Sequence, residues 1–434
     1  MRTFHLSWFA FFLCFFGWFG IAPLMAVVRD ELSLTKTQIG NTVIASVAIT
    51  IIARLLIGWL CDRFGPRRTY STLLVLGSLP VMAIGLAETY EGFLVARLGI
   101  GVIGASFVIT QHHTSTMFAP NVVGTANATT AGWGNLGGGV TQIVMPLIFA
   151  AFVVFGVSET LGWRLAMIVP GVLMILTGFA YYKLTQDAPE GDFRDLRAQG
   201  KLEDGSGSGV GGFLEAAKDT RVWALFLIYG ACFGVELTIN NVAALYFHDY
   251  FELDLATAGL MAGLFGLMNL FARTLGGIVG DRMGIAGGLK GRVRFLGIVL
   301  FFEAIALIVF SQMSVLPLAI ATLIVFSICV QMSEGATFSV VPMINKRALG
   351  SVSGIVGAGG NAGAVAAGFL FRAESISTPE ALLYLGCTVA LASGLVALVR
   401  FSPEQEREAR IEMLASLAQR AEGARAGKTS PSAV

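Results

Sequence analysis

Two arginines stand in the middle of long apolar runs: Arg54 in IIARLLIGWLCDRFG (51–65) and Arg273 in LFARTLGGIVGDRMG (270–284). An arginine at the centre of a membrane helix costs about 3 kcal/mol on insertion scales. Its guanidinium stays charged when buried, and its planar fork meets a planar or forked oxyanion through paired hydrogen bonds. Lysine, a rounder and more titratable cation, is missing from the middle of these runs. The chemistry on offer is reversible capture of a small anion away from bulk water. The competing reading is a structural arginine neutralised by glutamate or by backbone carbonyls.

Spacing separates the two readings. Thr42, Ser46, Thr50, Arg54 and Gly58 recur every fourth residue and so share one helix face. Gly266, Asn269, Arg273, Gly277 and Gly280 form a similar face. Each arginine thus lies on a small, polar stripe, apart from the leucines that suit lipid. The two stretches also repeat: Arg54, Gly58, Asp62-Arg63 and Gly65 return as Arg273, Gly277, Asp281-Arg282 and Gly284, all 219 residues later. Related halves would bring the two guanidiniums together across a pseudo-twofold axis. Facing each other they repel unless an anion lies between them.

The elements that must hold them are membrane helices. The chain has 434 residues, 55% hydrophobic and only 13% charged, against about 25% charged in soluble proteins. The apolar stretches are long enough for helices and lack the alternation of barrel strands. Twelve spans are expected, at 6–28, 39–61, 69–87, 92–115, 123–153, 161–183, 221–247, 256–280, 293–313, 315–340, 348–371 and 380–400. The Gly/Ser-rich, charged segment from 185 divides them six and six. The expected organisation is a first half at 1–184, a linker at 185–218, a second half at 219–401 and a charged tail at 402–434. Most of the 29 Lys and Arg residues fall on the side of the termini and linker, including Arg63, Arg67, Arg68, Arg282, Lys290, Arg292, Arg294, Lys346 and Arg347. Arg29, Lys36, Arg164 and Arg372 fall on the other. That bias places both termini in the cytoplasm. The apolar N-terminal run is longer than that of a signal peptide and is expected to be a retained span.

Other intramembrane polar residues extend the picture. The five cysteines lie in separate apolar segments without metal-ligand spacing, so they read as packing residues. Glu236, Glu303 and Glu334 balance Arg54, Arg97 and Arg273 in formal charge. A buried carboxyl near an arginine can exchange a proton, and Glu236 lies seven residues from Tyr229 on one face. Structural salt bridges are the alternative for all three acids. Arg97 reads as structural, paired with an acid or joined to coupling. His112 and His113 read as solvated at an interface. Asp62 and Asp281, beside helix ends, suit gating by inter-helix hydrogen bonds and charge pairs. Glycines crowd GWGNLGGG (132–139) and GAGGNAGA (357–364). Gly134, Gly137, Gly138, Gly360 and Gly363 let helices approach closely, and Asn135 and Asn361 can bond across them.

GWLCDRFGPRR (58–68) and RLGIGVIGA (97–105) resemble the loop motif and the fourth-helix arginine motif of the major facilitator superfamily. Within it, RTFHLSWFAFF, GTANATTAGWGNLGGGVTQ, FGVELTINNVAALYF, SEGATFSVVP and GAGGNAGAVAAGF resemble the nitrate/nitrite porters, over essentially all twelve spans. The resemblance implies an all-α major facilitator fold of twelve transmembrane helices in two pseudo-symmetric six-helix halves. It implies that Arg54 and Arg273 clamp the anion, with Tyr229, Phe233, Phe107 and Asn135 as the remaining substrate contacts. Its first-helix aromatic falls on Trp18 or Phe19. The segment opened by Glu334 resembles the proton-coupled members, which makes Glu334 and Glu236 the proton-coupling candidates.

The expectation is an alternating-access transporter of the cytoplasmic membrane, for nitrate and also nitrite, with nitrate/proton symport preferred and a place in nitrate assimilation. Its partners are the small inorganic anion, protons and the lipid bilayer, with no nucleic acid, metal or cofactor. Nitrate/nitrite exchange is the near alternative and an organic-anion exchanger the wider one. A channel would need no two-half logic. A membrane enzyme is disfavoured, since the sequence shows no His/Cys cluster, P-loop or nucleophile elbow.

Overall fold

The structure is a computed structural model that describes residues 1–118, 123–201, 210–345 and 349–411. Part of the expected linker (202–209), Lys346 and Arg347, and most of the tail (412–434) lie outside the described residues.

The architecture is all helical, and the spans follow the expected order. They are span 1 (Arg2–Leu32), span 2 (Lys36–Phe64), span 3 (Pro66–Leu86), span 4 (Tyr90–Met117), span 5 (Val123–Val154), span 6 (Glu159–Leu184) and span 7 (Thr220–Tyr250). The helix Leu255–Ser311 holds spans 8 and 9, and span 10 (Leu316–Met343), span 11 (Leu349–Arg372) and span 12 (Thr378–Leu398) complete the set. The join between spans 8 and 9 is Gly288, with φ 66° and ψ −159°, a conformation comfortable only for glycine. Glu406 accepts from the amides of Leu289 and Lys290, both at 3.0 Å, and so caps span 9 from beyond span 12. Span 9 therefore starts a turn earlier than hydrophobicity alone places it.

Short-range signals set the other ends. Thr35 and Gln38 form a capping box at the start of span 2, and Ser377 and Glu380 form another at span 12. Gly65, at φ 86°, ends span 2, and Pro66 opens span 3. The repeated loop motif is thus a tight reversal between two membrane helices.

Within the first half, span 1 lies on span 5 and span 3 on span 6; within the second, span 7 lies on span 11 and span 8 on span 10. Two helix pairs join the halves, span 2 with span 11 and span 5 with span 8. They are equivalent pairs under the sequence repeat. Leu55 is 72% exposed and its neighbour Arg54 only 9%, so the leucines face lipid and the arginine faces the other half.

The described linker residues and those just after span 12 lie on one face, against the loops that follow spans 2 and 8. On the remote face the halves are tied together. Arg29 pairs with Asp249 at 2.5 Å, Lys36 donates to the Ile376 carbonyl, and Thr37 donates from its amide and hydroxyl to Glu374 at 3.0 and 2.9 Å. The remote face is closed.

On the terminal face the loop after span 2 is strapped by the linker. Arg197 donates to the carbonyls of Asp62 and Arg63, each at 2.5 Å, and Arg67 pairs with Asp192. Asp187 accepts from the amides of Arg67 (2.8 Å) and Phe193 (3.0 Å). Burial pushes the Asp187 carboxyl above its ordinary value against those two donors. His113 differs from its expected solvation. It is fully buried, bonded to the Tyr181 hydroxyl at 2.5 Å and the Gln186 carbonyl at 2.7 Å. The chain leaving span 6 folds over it. His112, half-buried, meets Asp62 at 3.3 Å.

Candidate anion site

Arg54 of span 2 and Arg273 of span 8 approach the same Phe233 ring from the two halves. Arg54 donates from Nη1 to the Gly357 carbonyl of span 11 at 2.9 Å. Its Nε and Nη2 are buried and have no partner among the described residues. The guanidinium lies 5.5 Å from the Phe107 ring and 5.8 Å from the Phe233 ring. Such contacts offset part of the cost of burying the cation, yet they leave two nitrogens without an acceptor.

Arg273 is 5% exposed. It pairs with Glu334 of span 10, donates to the Tyr229 hydroxyl at 3.0 Å, and lies 6.0 Å from the same Phe233 ring. Phe233 therefore lies close to both guanidiniums. Tyr229 stacks on it at 5.2 Å, one turn away on span 7. Five expected contact residues, Arg54, Arg273, Tyr229, Phe233 and Phe107, come together here.

The sixth, Asn135, is turned elsewhere. Its amide donates to Glu236 at 3.3 Å, and Asn269 donates to the other oxygen of that carboxyl at 2.7 Å. Glu236 and Tyr229 share a helix face as expected but hold different partners. The Glu334 carboxyl faces that of Glu236, so one line of groups runs Arg273, Glu334, Glu236, Asn135. Glu334 thus holds an ion pair, with its Oε1 left without a partner. Glu303 departs from the salt-bridge reading. It is fully buried against Ser333, and no cation pairs with it among the described residues.

Three further residues contribute. Phe338 meets Tyr229 edge-on at 5.1 Å, Phe11 meets Phe107 at 5.8 Å, and Asn269 holds Glu236. Asn269 was legible, one turn before Arg273 on the polar stripe. Phe338 lies four residues after Glu334, which is the signal that would have found it. The first span reaches this wall through Phe11. Trp18 lies nearer the closed face and donates to the Ser46 carbonyl at 3.2 Å, while Phe19 stacks on it at 5.1 Å.

The glycine-rich segments divide by partner. A side chain on Gly134 or Gly137 would strike Phe11 or Phe12 of span 1, and one on Gly360 or Gly363 would strike Phe233 or the Gly230 backbone of span 7. These are contacts within a half. Between halves, Gly139 lies on Gly266, Gly138 lies near Asn240, and Asn361 donates to the Val47 carbonyl at 3.5 Å. Gly363→Val should therefore lower stability by roughly 1–3 kcal/mol, read as a lower thermal unfolding midpoint in detergent. Wild-type stability would show that spans 7 and 11 can separate freely. Asp281 pairs with Arg292 at 2.7 Å, joining span 8 to span 9.

Comparison with known proteins agrees with this architecture. The family model for the Major Facilitator Superfamily matches residues 7–368. The chain is 42% identical over 405 residues to High affinity nitrate transporter 2.5 of Arabidopsis thaliana, covering 93% of this chain and 80% of that one. It is 31% identical over 450 residues to the Nitrate/nitrite transporter NrtP of Picosynechococcus sp., covering 84% and 83%. The inward open conformation of the xylose transporter XylE from E. coli superposes with a TM-score of 0.70 at 14% identity, over 94% of this chain and 98% of that one, a likeness of fold alone. Repeat, fold and relatives converge: the chain belongs to the nitrate/nitrite porter family of the Major Facilitator Superfamily.

Proposed function

We propose that the protein carries nitrate, and nitrite with it, across the cytoplasmic membrane by alternating access, as nitrate/proton symport. The observation that carries the reading is the pair of repeat-equivalent arginines around Phe233, one with two buried nitrogens that lack an acceptor. A planar anion accepts from both forks, and the aromatic rings exclude water around it. The names of the relatives supply the substrate class. Residues 1–184 and 219–401 act as the two rocking halves, joined by the linker 185–218 and followed by the tail 402–434, with both termini cytoplasmic. In that orientation the closed remote face is the outer one.

The line from Arg273 to Glu236 supports proton coupling. An anion that reaches Arg273 competes with Glu334, whose freed carboxylate then takes a proton. Charge arithmetic asks for more than one proton per nitrate to drive inward movement against a negative interior, and Glu236 beside Glu334 supplies a second acceptor. Asp62, Asp281 and the glycine faces serve the rocking motion and leave anion choice to the arginines.

The test uses purified protein in liposomes with a pH dye inside. Nitrate added outside, with no nitrite within, should enter together with acidification of the lumen. Uptake that appears only after loading nitrite, without acidification, would replace symport by exchange. No nitrate movement in either arrangement would remove the substrate assignment itself.

A further inference from the structure

Arg97 is the third intramembrane arginine, and it has no repeat partner: 219 residues further on the chain has Leu316. It is fully buried in span 4. Its guanidinium donates to the Trp18 carbonyl at 3.3 Å, the Ser46 hydroxyl at 3.2 Å and Asn241 Oδ1 at 2.8 Å. Its Nε has no partner, and no carboxylate pairs with it among the described residues. Every acceptor is a neutral dipole, so a full positive charge is held in the membrane interior without a counter-ion. Glu236, Glu303 and Glu334 all lie elsewhere.

Its depth and seam are informative. Arg97 lies seven residues from the remote end of span 4 at Tyr90, roughly 10 Å along the helix. Ser46 lies eight residues on the remote side of Arg54 in span 2, roughly 12 Å. Arg97 therefore stands between the closed face and the central arginines. The shortest of its three bonds, to Asn241 of span 7, is also the one that crosses from the first half to the second. Movement of span 7 away from span 4 on opening of the remote face would take that acceptor away and leave the guanidinium fork free to bind.

We propose that Arg97 is an outer waypoint for the transported small oxyanion, and that the Asn241 amide oxygen takes the anion's place when the gate closes. The exchange of acceptors releases the anion towards Arg54 and keeps the arginine bonded in both states. The proposal rests on the anion-transport reading above but not on proton coupling.

The experiment compares Arg97→Gln, Arg97→Lys and Asn241→Ala in proteoliposomes, over a range of external nitrate. Removing a charge-assisted contact should raise the external KM of Arg97→Gln about tenfold. Arg97→Lys, with charge but no fork, should fall between Gln and wild type. Asn241→Ala should shift the other way: the closed gate loses its acceptor, the open state gains population, and the external KM falls while the maximal rate drops. If Arg97 were only a latch, Arg97→Gln and Asn241→Ala would weaken the same closed state and move KM in the same direction. That result, or an unchanged KM in Arg97→Gln, overturns the waypoint. Failure of wild-type protein to bind or move nitrate would defeat the central reading, whereas the KM pattern concerns Arg97 alone.

Discussion

Replacing Arg54 by lysine should reduce nitrate uptake by about 100-fold while the protein stays folded, with an effect of similar size for Arg273→Lys. The reason is geometric. Arg54 places one nitrogen on the Gly357 carbonyl and leaves two buried donors towards the seam. Arg273 divides its fork between Glu334 and Tyr229. An ammonium keeps the charge in either place but cannot reach a partner in two directions while facing a planar anion bidentately. Lysine also brings a more strongly hydrated head, which costs more to strip of water. Folding should survive, since Arg54 holds a single hydrogen bond in the closed-remote state. Initial uptake rates in proteoliposomes, beside thermal unfolding of the same preparations, separate the two effects. Near-normal uptake in both variants would sink the clamp.

The positions of these arginines were legible because the repeat is written in residue types at fixed spacing, and a helix turns that spacing into a face. The twelve spans were legible for a similar reason, since membrane thickness fixes helix length. What spacing does not encode is the choice of partner between helices. Asn135 could be put on span 5 facing inward, yet its bond to Glu236 depends on how spans 5, 7 and 8 meet. Arg97 could be flagged as costly, but Asn241, 144 residues away, carries no local mark of being its acceptor. His113 reads from sequence as an interface residue because the segment that covers it begins beyond span 6. Burial by a distant segment leaves no trace in hydrophobic periodicity. The early start of span 9 has a comparable origin in Glu406, which reaches it from the far end of the chain.

Glu334→Gln should abolish inward acidification during nitrate uptake, by more than about tenfold, and leave nitrate/nitrate exchange in place. Glutamine has nearly the volume of glutamate and keeps one carbonyl oxygen for Arg273, so the fully buried pocket around it is not emptied. What it loses is the negative charge that competes with the anion for Arg273 and the oxygen that takes the proton. Binding and exchange need neither, since one anion can replace another on the two arginines without a change in net charge. Net uptake against the membrane potential needs both. A purely structural Glu334 would behave differently. Breaking its pair with Arg273 would slow exchange and net uptake alike, or slow neither. Acidification at the wild-type rate in the variant would therefore return the carboxyl to a structural partner and leave the arginines as the whole of the anion site. Glu236, held by two asparagine amides and facing Glu334, is the next group in line. Glu236→Gln should weaken acidification less than Glu334→Gln, because it removes an acceptor without freeing Arg273.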